Sequence, residues 1–168
     1  MKNILILYFS SSGYTQTLAE QIKIKLETQL KDRVSVTIER LQTSADNLPG
    51  GNLSMDDYKK LDDNTKLLKQ PTSNIADFDC VCIGAPVWYY TFPRFLNPFL
   101  NSLDGKNYPG EIFMFTTAHS AFGSVEEDFA KNVSRKQVAT LKSTSSDRQR
   151  KQQVAGFVGK IDSYLSSH

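Results

Sequence analysis

Ile4-Leu5-Ile6-Leu7-Tyr8-Phe9-Ser10-Ser11-Ser12-Gly13-Tyr14-Thr15 is the stretch that decides the fold. Its first half is a continuous apolar run, the mark of a strand covered on both faces. Its second half is a hydroxyl-rich turn. Beyond it, Leu18, Ala19, Ile22, Leu26 and Leu30 recur on one helical stripe. A strand therefore leads into a turn, and the turn into a helix. A helix N-terminus exposes unpaired backbone N–H groups and the positive end of the macrodipole. Three serines, a glycine and a threonine at that point make a cradle for a phosphate. No Lys or Arg lies in the turn, so the expected anion is held by dipoles and hydroxyls rather than by a cation.

The rest of the chain repeats the pattern. Val34 to Leu41 alternates, with Val34, Val36 and Ile38 on one face, and reads as a second strand at an edge or open on one side. Gln42 to Ile75 is polar and contains Pro49-Gly50-Gly51; Met55, Tyr58, Leu61 and Leu68 predict a short helix between Ser54 and Lys69. This segment is either a variable surface connection or a lid or partner surface. Asp79 to Gly84 is a third buried strand. Phe95, Leu96, Phe99, Leu100 and Leu103 predict a helix that Asp104-Gly105-Lys106 ends. Glu111 to Phe115 is a fourth buried strand.

Ser124-Val125-Glu126-Glu127 has the capping-box pattern and opens a helix carrying Val125, Phe129 and Val133. Gln137 to Leu141 is a fifth strand and Ser143 to Ser146 a loop. Val154, Phe157, Val158, Ile161 and Leu165 mark a closing helix. Buried strands alternating with helices predict an α/β protein: a doubly wound five-stranded parallel sheet with helices on both faces. One such domain is expected to span residues 1–168.

The totals fit that class. The chain has 168 residues, 39% hydrophobic and 23% charged, with a net charge of +2. That charge is too mild to argue for nucleic acid. Arg148, Arg150 and Lys151 read as the solvated face of a helix. No run reaches membrane-spanning length, and only six apolar residues precede the serines, so a cytoplasmic protein without a leader is expected. Cys80 and Cys82, two apart on a strand, read as packing residues on opposite faces.

In open sheets of this class, ligands bind beyond the carboxyl ends of the strands. Three loops qualify: Ser10–Thr15, Ala85–Thr91 and Thr116–Gly123. The second, with Pro86, Val87, Trp88 and Tyr89, holds the single tryptophan beside two tyrosines. Either something flat covers that aromatic surface or Trp88 caps the core under the loop. The third, with Thr116, Thr117, Ala118, His119, Phe122 and Gly123, has small residues that let backbone approach a ligand. His119 reads as an exposed loop histidine in preference to a catalytic group. Two histidines and two cysteines give no metal-ligand spacing.

A phosphate cradle, an aromatic platform and a backbone-rich loop at one edge describe a site for a mononucleotide with a flat ring. Here the sequence resembles the flavodoxins and flavodoxin-like proteins, which bind FMN. YFSSSGYT resembles the family's phosphate loop, GAPVWYYTFP the loop whose aromatic covers the isoalloxazine, and FTTAHSAFG the other loop flanking the ring. The resemblance implies that Ser10, Ser12, Tyr14 and Thr15 contact the FMN phosphate, with Ser11 and Gly13 in the same loop. It places Trp88 or Tyr89 on the ring.

It implies a redox role: electron transfer through a non-covalent flavin, with a redox partner protein or a small quinone-like acceptor, as monomer or homodimer. The alternative is an NAD(P)H-dependent FMN quinone reductase. Hydride transfer needs no protein acid or base, so no catalytic side chain is assigned. Electron-carrier flavodoxins are typically strongly acidic, and this chain is slightly basic. The second loop holds no carboxylate and is followed by Arg94. The absence of carboxylates beside the flavin should make reduction easier.

Other readings fail on their motifs. G-x-G-x-x-G, G-x-x-x-x-G-K-[ST] and G-x-S-x-G are all missing, and serines stand where a thiol phosphatase needs cysteine.

Overall fold

The computed structural model describes residues 1–45, 53–104, 107–144 and 148–168. Strands and helices alternate: β1 (Lys2–Tyr8), α1 (Tyr14–Leu30), β2 (Val34–Arg40), α2 (Met55–Asn64), β3 (Cys80–Pro86), α3 (Asn97–Asn101), β4 (Glu111–Ala118), α4 (Val125–Asn132), β5 (Ala139–Thr144) and α5 (Arg150–Ser167). The five described strands form one sheet in the order β2-β1-β3-β4-β5. Every pairing is parallel. Strand order reverses between β1 and β3, so the ends of these two strands flank the switch point of a doubly wound sheet.

Two cores lie on the two faces, and the two-residue period of the strands sorts the side chains between them. Ile4, Ile6 and Tyr8 join Leu18, Ile22 and Leu26 of α1 and Phe157, Val158 and Ile161 of α5. Leu5, Leu7 and Phe9 join Leu96, Phe99 and Leu100 around α3 and Val125 and Phe129 of α4. Fully burying each such side chain contributes roughly 1.5–3 kcal/mol. The stripes expected for α1 and α5 are the buried ones.

Several local expectations need correction. Cys80 and Cys82 share the α1/α5 face, because residues two apart on a strand point the same way. Thr116, Thr117 and Ala118 continue β4 instead of opening its loop; β-branched threonines suit a strand. Ser143 and Thr144 likewise end β5, which begins at Ala139. The helix read over Phe95–Leu103 is a short 3-10 turn, Arg94–Leu96, followed by one turn of α3.

Ser124 makes no capping bond; its Oγ donates to Asp128 Oδ2 at 2.7 Å. The capping box is at α2 instead, where Ser54 Oγ accepts from Asp57 N–H and the Asp57 carboxylate accepts from Ser54 N–H. Leu68 lies beyond α2 and is 63% exposed. Pro49-Gly50-Gly51, Gly105-Lys106 and Ser145–Ser146 lie outside the described residues.

After α2 the chain returns along the edge strand. Leu68 N–H donates to the Gln42 carbonyl, and the Glu39 carboxylate accepts from Thr72 N–H, Thr72 Oγ1 and Ser73 N–H at 2.6, 3.0 and 3.0 Å. This cover blunts the edge that β2 would otherwise present.

Candidate functional site

The turn between β1 and α1 is closed from within. Ser10 Oγ accepts from Gly13 N–H at 3.1 Å, and Gly13 adopts φ +95° as the residue before the helix. That positive φ costs glycine nothing. The Gly13 carbonyl accepts from the N–H and the hydroxyl of Thr17. Among the described residues no protein acceptor meets the N–H groups of Ser11, Ser12, Tyr14, Thr15 or Gln16. Five unpaired donors thus converge where the α1 dipole is positive, which is the chemistry of an anion site. Ser12 is exposed and Ser11 half-buried, so both hydroxyls are open to a ligand. Thr15 is buried, its hydroxyl 2.8 Å from that of Thr117.

A cation stands behind this turn after all. Arg40, at the end of β2, donates to the Ser10 carbonyl at 2.7 Å and to Gln16 Oε1 at 3.3 Å. Register explains it: Arg40 pairs with Tyr8 at the end of β1. Thirty residues of sequence separation hid the contact; only the parallel pairing of the two strands brings it about.

Beside the turn runs a groove at the carboxyl edge of the sheet. Its inner part is lined by Ser11 and Tyr14 on one side, Pro86 to Trp88 on another, and Thr117 to His119 on a third. Its outer part continues past Val87, Tyr89 and Tyr90 to Ala118, His119 and Ala121. Tyr14 and His119 meet edge to face across it, with centroids 6.0 Å apart. Tyr58 of α2 lines both parts, and Met55 lines the outer one. Helix α2 is held there by Asp62, which is 3% exposed. Its carboxylate accepts from Arg94 N–H at 2.9 Å, Phe95 N–H at 3.0 Å and, at the limit, Arg94 Nε at 3.5 Å.

The aromatic loop is a two-residue hairpin. Trp88 and Thr91 exchange backbone hydrogen bonds, and Tyr89 and Tyr90 between them have φ +52° and +63°. Both central residues in the left-handed region is the geometry that normally selects Asn-Gly. Tyrosine in that region costs about 1–2 kcal/mol per residue. Three contacts hold it: Ser124 N–H donates to the Tyr90 carbonyl, Thr91 Oγ1 donates to Asp128 at 2.6 Å, and Gly123 lets the Tyr90 backbone approach. Arg94 and Lys59 flank the Tyr89 ring at 5.8 and 5.6 Å.

Ser11, Tyr14, Pro86, Val87, Tyr89, Thr117, Ala118 and His119 thus gather around the groove, with Ser10, Ser12, Gly13 and Thr15 building the adjacent turn. Trp88 lies at the groove floor but is 1% exposed and packs on Phe9 and Phe95, as a core cap does. Thr116 is wholly buried, its hydroxyl on the Ala85 carbonyl. Phe122 packs on the core and Gly123 against Tyr90. Sequence reasoning missed Arg40, Tyr58 and Asp62. Tyr58 sat in a predicted helix with no local sign of what that helix covers.

A parallel sheet ordered 2-1-3-4-5, with an anion-accepting turn after its first strand and a groove at the switch point, defines the flavodoxin-like class of doubly wound proteins. The chain belongs to the flavodoxin family, whose description matches residues 3–161. Solved structures share the fold. A flavodoxin from the domain Archaea aligns with a TM-score of 0.59 at 13% identity over 98% of this chain and 99% of that one. A flavoprotein in complex with FMN from Lactobacillus acidophilus aligns at 0.53 and 19% over 98% and 99%. Two-electron reduced Megasphaera elsdenii flavodoxin aligns at 0.54 and 12% over 94% and 98%. Comparison with curated protein sequences gave no match. Among the described residues no helix is long and apolar enough to cross a membrane.

Proposed function

We propose that this chain binds FMN non-covalently and transfers electrons through it to or from a redox partner. The observation that carries the reading is the cluster of unpaired N–H groups at the start of α1, opening onto the same sheet edge as the aromatic groove. A phosphate at the turn and a flat ring in the groove are what such an edge accommodates. The N–H groups of Ser11, Ser12, Tyr14, Thr15 and Gln16 and the Ser11 and Ser12 hydroxyls would hold the phosphate. Arg40 supports them from behind through the Ser10 carbonyl. Pro86 to Tyr89 and Thr117 to His119 would flank the ring. Bound FMN supplies reversible one- and two-electron chemistry; the protein supplies orientation and electrostatics.

The charges near the groove support a flavin that is easily reduced. Lys59 and Arg94 flank Tyr89, and the buried Asp62 charge is offset by Arg94, whose Nε lies 3.5 Å from its carboxylate. Reduced flavin gains negative charge, which cations favour and carboxylates oppose. The purified protein should therefore be yellow, and potentiometric titration should give a final reduction step less negative than that of an acidic low-potential carrier. A colourless protein that takes up no FMN refutes the binding; a strongly negative final step refutes the electrostatic reading.

A further inference from the structure

Residues 42–75 contribute something to the groove that neither flanking loop provides. In the exposed stretch Leu53–Lys60, Tyr58 alone is half-buried. Its ring lies tilted against Trp88, centroids 6.3 Å apart, and it lines the inner and outer parts of the groove alike. Its backbone N–H is used by the Ser54 carbonyl, but among the described residues its hydroxyl has no hydrogen-bond partner. Burial pushes the phenol above its ordinary pKa, so at neutral pH it is a donor. With no protein group among the described residues claiming it, the O–H at the groove lining is free to donate to a ligand held there.

The placement of Tyr58 is built in. Asp62 lies one helical turn further along α2, where its carboxylate accepts the Arg94 and Phe95 N–H groups just past the aromatic loop. The buried Asp62 carboxylate relies on those two N–H groups for its hydrogen bonds, so α2 is fixed to the same loop that walls the groove.

We infer that Tyr58 is a ring-binding residue. Helix α2 forms a further wall of the flavin site, and the Tyr58 O–H donates a hydrogen bond to the ring's polar edge. The inference rests on the FMN reading and adds a residue from a segment that the phosphate turn and the two loops do not include.

Three proteins test it: the wild type, Tyr58→Phe and Tyr58→Ala, each titrated with FMN by fluorescence quenching and scanned for the flavin's visible bands. Tyr58→Phe keeps the ring and removes one donor; its Kd should rise about 3- to 10-fold with a shift of the visible bands. Tyr58→Ala also removes the wall and should weaken binding by about 30-fold or more, with brighter residual fluorescence of the bound flavin. Tyr58→Phe with the wild-type Kd and spectrum overturns the donor role, and the phenylalanine variant keeps that test available even if the alanine protein unfolds. Tyr58→Ala that folds and matches the wild type overturns the wall. If the wild type itself takes up no FMN, the failure lies in the FMN reading, and this inference falls with it.

Discussion

The phosphate turn and the aromatic hairpin sit on the same sheet edge and solve opposite problems. At the turn the one residue with positive φ is Gly13, which has open space where a Cβ would go. At the hairpin the positive-φ residues are two tyrosines, and the backbone is held by contacts from α4 and the loop before it. The turn is relaxed and leaves its donors free. The hairpin is strained and uses its neighbours to stay in place. Strain kept in place by surrounding contacts is characteristic of ligand-presenting segments. A relaxed cradle for the invariant part of a ligand and a strained presenter for its reactive part make a consistent division of labour.

That contrast can be broken by mutation. The largest effect is expected at Gly123, which has φ +56° and whose added Cβ would stand 2.1 Å from the Tyr90 carbonyl oxygen. Gly123→Ala must push the hairpin away, costing roughly 3 kcal/mol and lowering the melting temperature by about 10 °C. An unchanged melting curve would show that the hairpin is not held from this side. Ser12→Asp comes next. It sets a carboxylate against a bound phosphate and should weaken FMN by about 2 kcal/mol, near 30-fold by fluorescence titration, with folding unchanged. Equal affinity would remove the phosphate from the turn.

Gly13→Ala meets no atom and carries only the left-handed penalty, so chemical denaturation should show a loss of about 1 kcal/mol, well below that of Gly123→Ala. Equal losses at the two glycines would erase the distinction between a relaxed and a crowded segment. The smallest change runs the other way. Tyr90→Gly removes the strain at an exposed position (54%) and should stabilise the protein by somewhat under about 1 kcal/mol. A destabilised variant would mean that the Tyr90 side chain contributes more than its backbone costs.

What was legible in the sequence follows from how local each cause is. The strands β1, β3 and β4 are apolar runs and the helices α1 and α5 carry apolar stripes, so periodicity alone exposes them and with them the sheet class. The turn Ser10–Thr15 was legible because its donors come from consecutive residues. Trp88 was ambiguous because aromatic residues look alike in sequence whether they face a ligand or the core; its contacts with Phe9 and Phe95 come from other elements.

Arg40 and Tyr58 were hidden for the same reason, since one arrives by strand pairing and the other through a carboxylate bonded to backbone more than thirty residues away. The capping-box pattern at Ser124 misleads because Ser124 turns its hydroxyl to Asp128, while at Ser54 the shorter acid Asp57 makes the reciprocal bond in place of the usual Glu. The site's cradle was therefore written locally. Its walls were written in tertiary contacts.

The most direct test of the account compares two ligands that differ only by the phosphate. The apo-protein is titrated in parallel with FMN and with riboflavin, following quenching of flavin fluorescence. The account predicts stoichiometric uptake of FMN and an affinity for riboflavin lower by about 100-fold or more, because riboflavin leaves the N–H groups at the start of α1 unpaired. No uptake of either, or equal affinity for both, would contradict it.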